Sequence, residues 1–387
     1  MLNRLSTDEK GNHLSRSIKQ CRTKIMLLGL GSVGLYLLDY LISAADSNFE
    51  IVVVGRNAAK IEPDVNIVKI AALIRNTCKA KITIEAGIDF NNIDQLADCF
   101  HKHDPDFIVN TSRVYTGLKY GSISWNNIRA YGIWAPLAVK YIRNIMEACV
   151  QSGCKAIVIN TSYSDAVNPW LKSAGKACPD FGSGNVNHLI PRIKLSAAEQ
   201  KGIKDFWNID VTYATGHFHD VVISKEGHDE GIPQLLDIRY NDESVGKDHA
   251  SIFARCSIPM PVDSKRNMMN ASSNFEIIFS IINAIKNGTK EKFHSPGAFG
   301  ELGGYPVIAD ASTPDVRFYI DETRFSIEEM REKNRLSMAL DGIEGIKDGV
   351  LFYTDELIEK VESKFHTKLM KRVPFDDIDE AASFLID

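Results

Sequence analysis

The chain has 387 residues, 44% of them hydrophobic and 25% charged, enough for two domains with their own cores and with no compositional sign of extended disorder. A formal net charge of −5 without a clustered block of Lys and Arg argues against nucleic acid as a main partner, because phosphate binding needs a concentrated basic surface. Seven scattered cysteines without CxxC spacing read as reduced thiols, and a cytoplasmic location is expected.

The first residues mix Asp8, Glu9, Lys10, Arg16 and Lys19 with no apolar stretch, so positions 1–22 read as a loose polar tail rather than a secretory signal. The longest apolar run, Ile25 to Leu38, is broken by Gly29, Gly31 and Gly34 and stops at Asp39. It is too short and too broken to span a bilayer.

Lys24 to Leu28 reads as a buried strand, and Ser32 to Ala45 has the apolar spacing of a helix. Further strands are expected at Glu50 to Val54, Lys81 to Ala86, Phe107 to Asn110 and Ala156 to Asn160. A polar helix ending near Cys99 and a longer one from Trp134 to Gln151 lie between the later strands. Apolar strands alternating with helices predict a parallel sheet covered on both faces. The expected fold class is α/β, with a Rossmann doubly wound parallel sheet over 23–165 followed by an α+β domain over 166–387.

The turn after the first strand is Gly29-Leu30-Gly31-Ser32-Val33-Gly34, a GxGxxG that follows a buried strand and opens a helix. In that context Gly29 permits the tight turn, Gly31 admits a pyrophosphate and Gly34 allows close packing, while the helix start at Ser32 and Val33 offers unpaired N–H groups. The second strand ends in Gly55, Arg56 and Asn57 with no carboxylate, which predicts NADP, with NAD as the alternative. Arg56 otherwise stacks on the adenine or faces solvent. Asp89 either meets the adenine amino group or caps the helix that follows. Thr111 and Ser112 after the fourth strand, and Asn160 at the tip of the fifth, lie where a nicotinamide or substrate binds beyond the strand ends.

Asp104 to Thr111 (DPDFIVNT), the long helix after it, Ile157 to Thr161 (IVINT), Phe181 to Arg192 (FGSGNVNHLIPR) and Thr215 to Asp220 (TGHFHD) together resemble the lactate and malate dehydrogenase family. That resemblance implies hydride exchange between a nicotinamide and a small hydroxy or oxo compound, a small-molecule partner and a homodimer. It assigns the proton transfer to His217, with His219 as the fallback. Where the family carries an aspartate that orients the histidine, this chain has Asn187 and His188. Arg113, Lys119 and Arg129 fall in the loop where the family holds its substrate, and Arg113 or Arg129 would grip a carboxylate. The first half is also similar to saccharopine-type and short-chain reductases, and Tyr115 with Lys119 forms a YxxxK on the wrong loop for the latter. An opine- or saccharopine-type imine reductase and a non-catalytic dinucleotide-binding sensor or assembly protein are the alternatives.

His217 and His219 are expected on one face of a strand and turn, with His228 nearby, a geometry that also suits a metal; proton transfer is the preferred reading, and no metal is predicted. Asp220, Asp229 and Glu230 are the candidate orienting carboxylates. Ser273 to Ile285 reads as an apolar helix inside the second domain or at a subunit contact. The Gly- and Pro-rich segment from His294 to Pro306 around Tyr305 is either a substrate wall or a chain reversal. Strands Asp315 to Ile320 and Val350 to Tyr353, helices Ser326 to Leu340 and Thr354 to Phe365, and a short acidic helix complete the chain.

Overall fold

The computed structural model describes residues 5–115 and 121–386; Lys119 lies outside the described residues. The first element among the described residues is a helix, α1 (Thr7–Lys19), where the sequence suggested a loose tail. A capping box between Ser6 and Glu9 starts it. Polar residues then anchor it: Lys10 pairs with Asp180 at 2.7 Å, and the Ser17 hydroxyl donates to Asp106 at 2.6 Å, all of them buried. Charge alone looked like solvation, but these polar groups are satisfied inside the fold.

The first half continues β1 (Thr23–Leu28), α2 (Ser32–Ser43), β2 (Phe49–Gly55), α3 (Ala58–Ile74), β3 (Lys81–Ala86), α4 (Ile93–His103), β4 (Phe107–Asn110), α5 (Ala135–Ser152), β5 (Ile157–Asn160), α6 (Ser164–Ser173) and β6 (Phe181–Gly182). The six strands form one parallel sheet in the order β3-β2-β1-β4-β5-β6. The sheet therefore extends past residue 165 to its last strand at Phe181. Alternation along the strands sorts side chains between two cores: Met26, Leu28, Val52 and Val54 face one, Ile25, Leu27, Ile51 and Val53 the other. Order reversal between β1 and β4 opens a crevice at the carboxyl ends of the strands, where doubly wound sheets bind ligands.

The rest comprises α7 (Leu189–Lys201), β7 (Asp210–Ala214), α8 (His217–Glu226), β8 (Leu235–Tyr240), β9 (Glu243–Ser244), α9 (His249–Ala254), α10 (Asn267–Asn287), β10 (Lys290–Pro296), β11 (Gly304–Asp310), β12 (Arg317–Ile320), α11 (Ile327–Leu340), β13 (Ile343–Lys347), β14 (Val350–Tyr353), α12 (Asp355–Phe365), β15 (Arg372–Pro374) and α13 (Ile378–Phe384). Its strands form three antiparallel sheets of three strands each. Helix α10 packs inside the second domain, as expected, against Phe293 and Val307 of β10 and β11, and it also reaches the first domain. Its Ile277, Ile278, Ile281 and Ile282 bury against Leu37, Leu38 and Leu41 of α2, in the core on one face of the parallel sheet. The opposite face is covered in part by Leu351, Tyr353, Val361 and Phe375. Both faces of the nucleotide-type sheet are thus completed by the C-terminal half. No helix among the described residues is long and apolar enough to cross a membrane.

Candidate active site

The turn between β1 and α2 has the shape its glycines predict. Gly29 sits at φ +91°, and a Cβ there would stand 3.0 Å from the Ser112 Cβ. At Gly34 a Cβ would approach the Gly29 carbonyl oxygen to 2.4 Å, whereas at Gly31 it would meet nothing within 4 Å. Two glycines are therefore needed by packing and the third leaves room for a ligand. Gly31 caps α2 without a side chain, so the first N–H groups keep their positive end for an anion. Ser32, at the first helical position, accepts a hydrogen bond from Asn267 Nδ2 at 2.6 Å, tying the turn to α10. Val33 is half-buried beside it.

Around the turn, the Thr111 hydroxyl donates to the Gly29 carbonyl at 2.6 Å, and the Ser112 hydroxyl to Asn110 Oδ1 at 2.6 Å. Arg56 is exposed at the end of β2, with no hydrogen-bond or ion-pair partner among the described residues. Asn57 occupies the cap of α3 without a side-chain capping bond. Asp89 does not cap α4: Asn92 does, accepting from Gln95 N at 3.1 Å. The Asp89 carboxylate is instead turned onto Asn91, at 3.1 Å from its backbone nitrogen and 3.0 Å from its amide.

His217 and His219 lie on α8, not on a strand, and His228 follows the helix, 3.0 Å from Glu226. The capping residue of α8, Gly216, donates its N–H to the Ser337 hydroxyl at 3.1 Å, and the helix begins at His217. Positions two apart on a helix point in different directions. His219 turns inward, fully buried, with Nδ1 2.7 Å from the Ser337 hydroxyl and Nε2 2.8 Å from the Asp229 carbonyl. Burial pushes its pKa down, which suits a neutral structural ring.

His217 faces a cleft of about 160 Å³ lined also by Arg113, Tyr131, Thr161, Ser183, Asn185 and Asn270. Its Nδ1 donates to Asp341 Oδ2 at 2.9 Å. Asp341, fully buried at the end of α11, also accepts from the Tyr163 hydroxyl and, through Oδ1, from Tyr131 N at 2.7 Å. The rings of Tyr131 and Tyr163 meet the imidazole edge-on, with centroids 4.7 and 5.1 Å away. Burial alone would lower the His217 pKa, but the charge and hydrogen bond of Asp341 outweigh it, with help from Asp165 and Asp220, and the net direction is upward. Asp165 is buried at the start of α6, accepts from Asn185 Nδ2 at 2.8 Å, and is pushed up to about 6, chiefly by burial.

The orienting carboxylate that the sequence sought in Asp220, Asp229 or Glu230 is therefore Asp341. Asp220 lies 3.8 Å from His188, Asp229 presents its backbone to His219, and Glu230 pairs with Arg129. Arg129 is tied to Glu226 and Glu230 and leans on Trp125; of the candidate arginines, Arg113 is the one that lines the cleft, with Nη2 donating to the Thr161 carbonyl at 3.1 Å. Asn160 is wholly buried. Its amide donates to Ser162 O and Asn168 Oδ1, and its oxygen accepts from Asn110 and Ser162 N. It holds the strand ends together, while neighbouring Thr161 reaches the cleft. The glycine-rich segment around Tyr305 reverses the chain between β10 and β11, and the buried Tyr305 hydroxyl donates to Leu302 O at 2.9 Å.

Strand order, the six-stranded sheet and the antiparallel C-terminal part together define the fold of the NAD-dependent 2-hydroxyacid dehydrogenases of the malate and lactate type. The malate dehydrogenase of Cryptosporidium parvum matches with a TM-score of 0.53 and 14% identity, covering 83% of this chain and 98% of that enzyme. Malate dehydrogenase from Aeropyrum pernix matches at 0.53 and 13%, covering 82% and 96%. Lactate dehydrogenase from Eimeria maxima, solved with NADH and oxamate, gives 0.51 and 13%, covering 82% and 91%. At these identities the fold is what is shared. Neither a family model nor a curated protein sequence matches the chain.

Proposed function

We propose that the protein is an NADP-dependent oxidoreductase that interconverts a carbonyl compound and its alcohol, with His217 as acid and base. The observation that carries this reading is the His217–Asp341 pair opening onto a cleft at the carboxyl ends of the parallel strands. Nicotinamide cofactor suits the residues present: the open space at Gly31, the uncapped start of α2 and the unpaired Arg56 suit a pyrophosphate and a 2′-phosphate. When bound, the reduced cofactor supplies a hydride.

With Nδ1 held by Asp341, Nε2 is the ring nitrogen left for the substrate. Protonated His217 gives its proton to the carbonyl oxygen during reduction; neutral His217 takes the alcohol proton during oxidation. Asp341 stabilises the imidazolium and fixes the ring, and Tyr131 and Tyr163 wall it on two sides. Arg113 holds a carboxylate at the mouth of the cleft, a role suited to a planar two-pronged donor. The carboxylate beside the histidine supports catalysis over a non-catalytic sensor role.

Titration with NADPH and NADH, followed by nicotinamide fluorescence, tests the cofactor part. NADPH should bind more tightly, and Gly31→Asp should abolish binding by placing a carboxylate at the phosphate position. Absence of binding by either nucleotide would overturn the reading.

A further inference from the structure

Beside the reacting cleft lies a second cavity of about 400 Å³. The two share Tyr115, Trp134 and Leu137 as a common wall, so they lie side by side. Their chemistry differs sharply. The first is lined by a histidine, an arginine, hydroxyls and amides; no described residue lining the second carries a charge. Ile128, Ile133 and Leu369 make its buried floor, and Phe365, Phe384 and Ile386 stand at its rim with 44%, 37% and 46% of their surface exposed. The indole N–H of Trp134 is already given to the Ser124 hydroxyl at 2.7 Å.

An apolar groove of this size left open to water is unfavourable unless something fills it. The shared wall says what: a molecule that places a polar head at His217 and Arg113 meets Trp134 and Leu137 in the same cleft, and the apolar groove lies directly behind them. We propose that the substrate is a 2-oxo or 2-hydroxy acid bearing an unbranched apolar chain, and that the chain passes between Trp134 and Leu137 into the groove beneath Phe365 and Phe384. This rests on the functional reading above for the head, and on the groove for the tail. Small acids of three or four carbons would fill the cleft and leave the groove empty.

Binding of straight-chain 2-oxo acids of four to ten carbons, measured calorimetrically on the whole protein with the oxidised cofactor NADP⁺, which has no hydride to give them, tests the tail independently of turnover. Each added methylene that enters the groove should tighten binding about fourfold, following the transfer free energy of a buried CH₂ group. Phe365→Asp and Phe384→Asp, both at exposed positions where folding should survive, should flatten this dependence while leaving the four-carbon acid unchanged. Affinity that does not vary with chain length in the wild type, or a dependence that persists in both variants, overturns the proposal. So does a flat dependence combined with dimers that Phe365→Asp dissociates, since a second copy would then own the groove. A steep dependence with no oxidation of NADPH by the same acids would uphold the groove and sink the oxidoreductase reading instead.

Discussion

The glycine turn and the His217–Asp341 pair stand at the same end of the same sheet, yet they are built in opposite ways. Gly29, Gly31, Ser32, Val33 and Gly34 are contiguous, and the constraints on them come from the turn itself and from the strand beside it. His217 and Asp341 lie 124 residues apart and meet because the start of α8 packs beside the end of α11 in the C-terminal half. In the function proposed above, local chemistry carries binding and long-range packing carries the proton. A function that is local in sequence tolerates drift elsewhere, whereas one assembled from distant helix ends can exchange one carboxylate for another provided the ring is still held.

The largest effect should come from His217→Asn. Turnover should fall by roughly 10²- to 10⁴-fold, the usual worth of a positioned acid or base, while NADPH affinity stays within a factor of two or so of wild type. Stopped-flow cofactor oxidation set beside fluorescence binding separates the two, and equal losses in both would erase the distinction between the regions. Next in size, Arg56→Gln should weaken NADPH roughly tenfold to a hundredfold and leave NADH unchanged, as expected for a charge-assisted contact to one phosphate. Competitive titration of the two nucleotides reads this directly, and an equal loss for both would place Arg56 away from the 2′-phosphate.

The smallest effect concerns Asp165. Its folded pKa, raised from 3.8 to about 6 by burial, means that the native state binds more protons than the unfolded chain between those values. Stability should therefore fall as pH rises through that window. Asp165→Asn removes the penalty and should raise stability at pH 7 by on the order of 1 kcal/mol, at the expense of a charge that helps keep His217 protonated. Thermal melts at pH 4 and pH 7 check it: the gain should appear at the higher pH and vanish at the lower.

The same contrast explains how much the sequence told. Strand edges were legible to within a residue for β3, β4 and β14 because short apolar runs bounded by turn residues have one good solution in a buried parallel or half-buried sheet. The glycine turn was legible because its needs are steric and local. Helix α1 was not, since Lys10, Ser15 and Ser17 look solvated until Asp180 and Asp106 appear beside them. The two histidines were misplaced because His217, Phe218 and His219 alternate like a strand, while Gly216 and its bond to Ser337 start a helix there. Asp341 carried no signal at all. An aspartate before Gly342 at a helix end reads as a turn, and only the fold brings it to Tyr131, Tyr163 and His217. Asn160, by contrast, looked like a ligand because it ends a strand, yet that position gave its side chain four hydrogen bonds within the protein.

The pairing of His217 with Asp341 is the claim on which the chemistry turns, and an NMR titration of the His217 ring in the wild type and in Asp341→Asn tests it without needing a substrate. The wild-type ring should titrate above the ordinary histidine value of about 6.5, so that its stabilising contribution is complete below that pH and is lost as pH rises through the folded pKa. In Asp341→Asn, with burial then the leading influence, the midpoint should drop clearly below that of the wild type. Identical midpoints in the two proteins would contradict the pairing and, with it, the assignment of His217 as the acid and base.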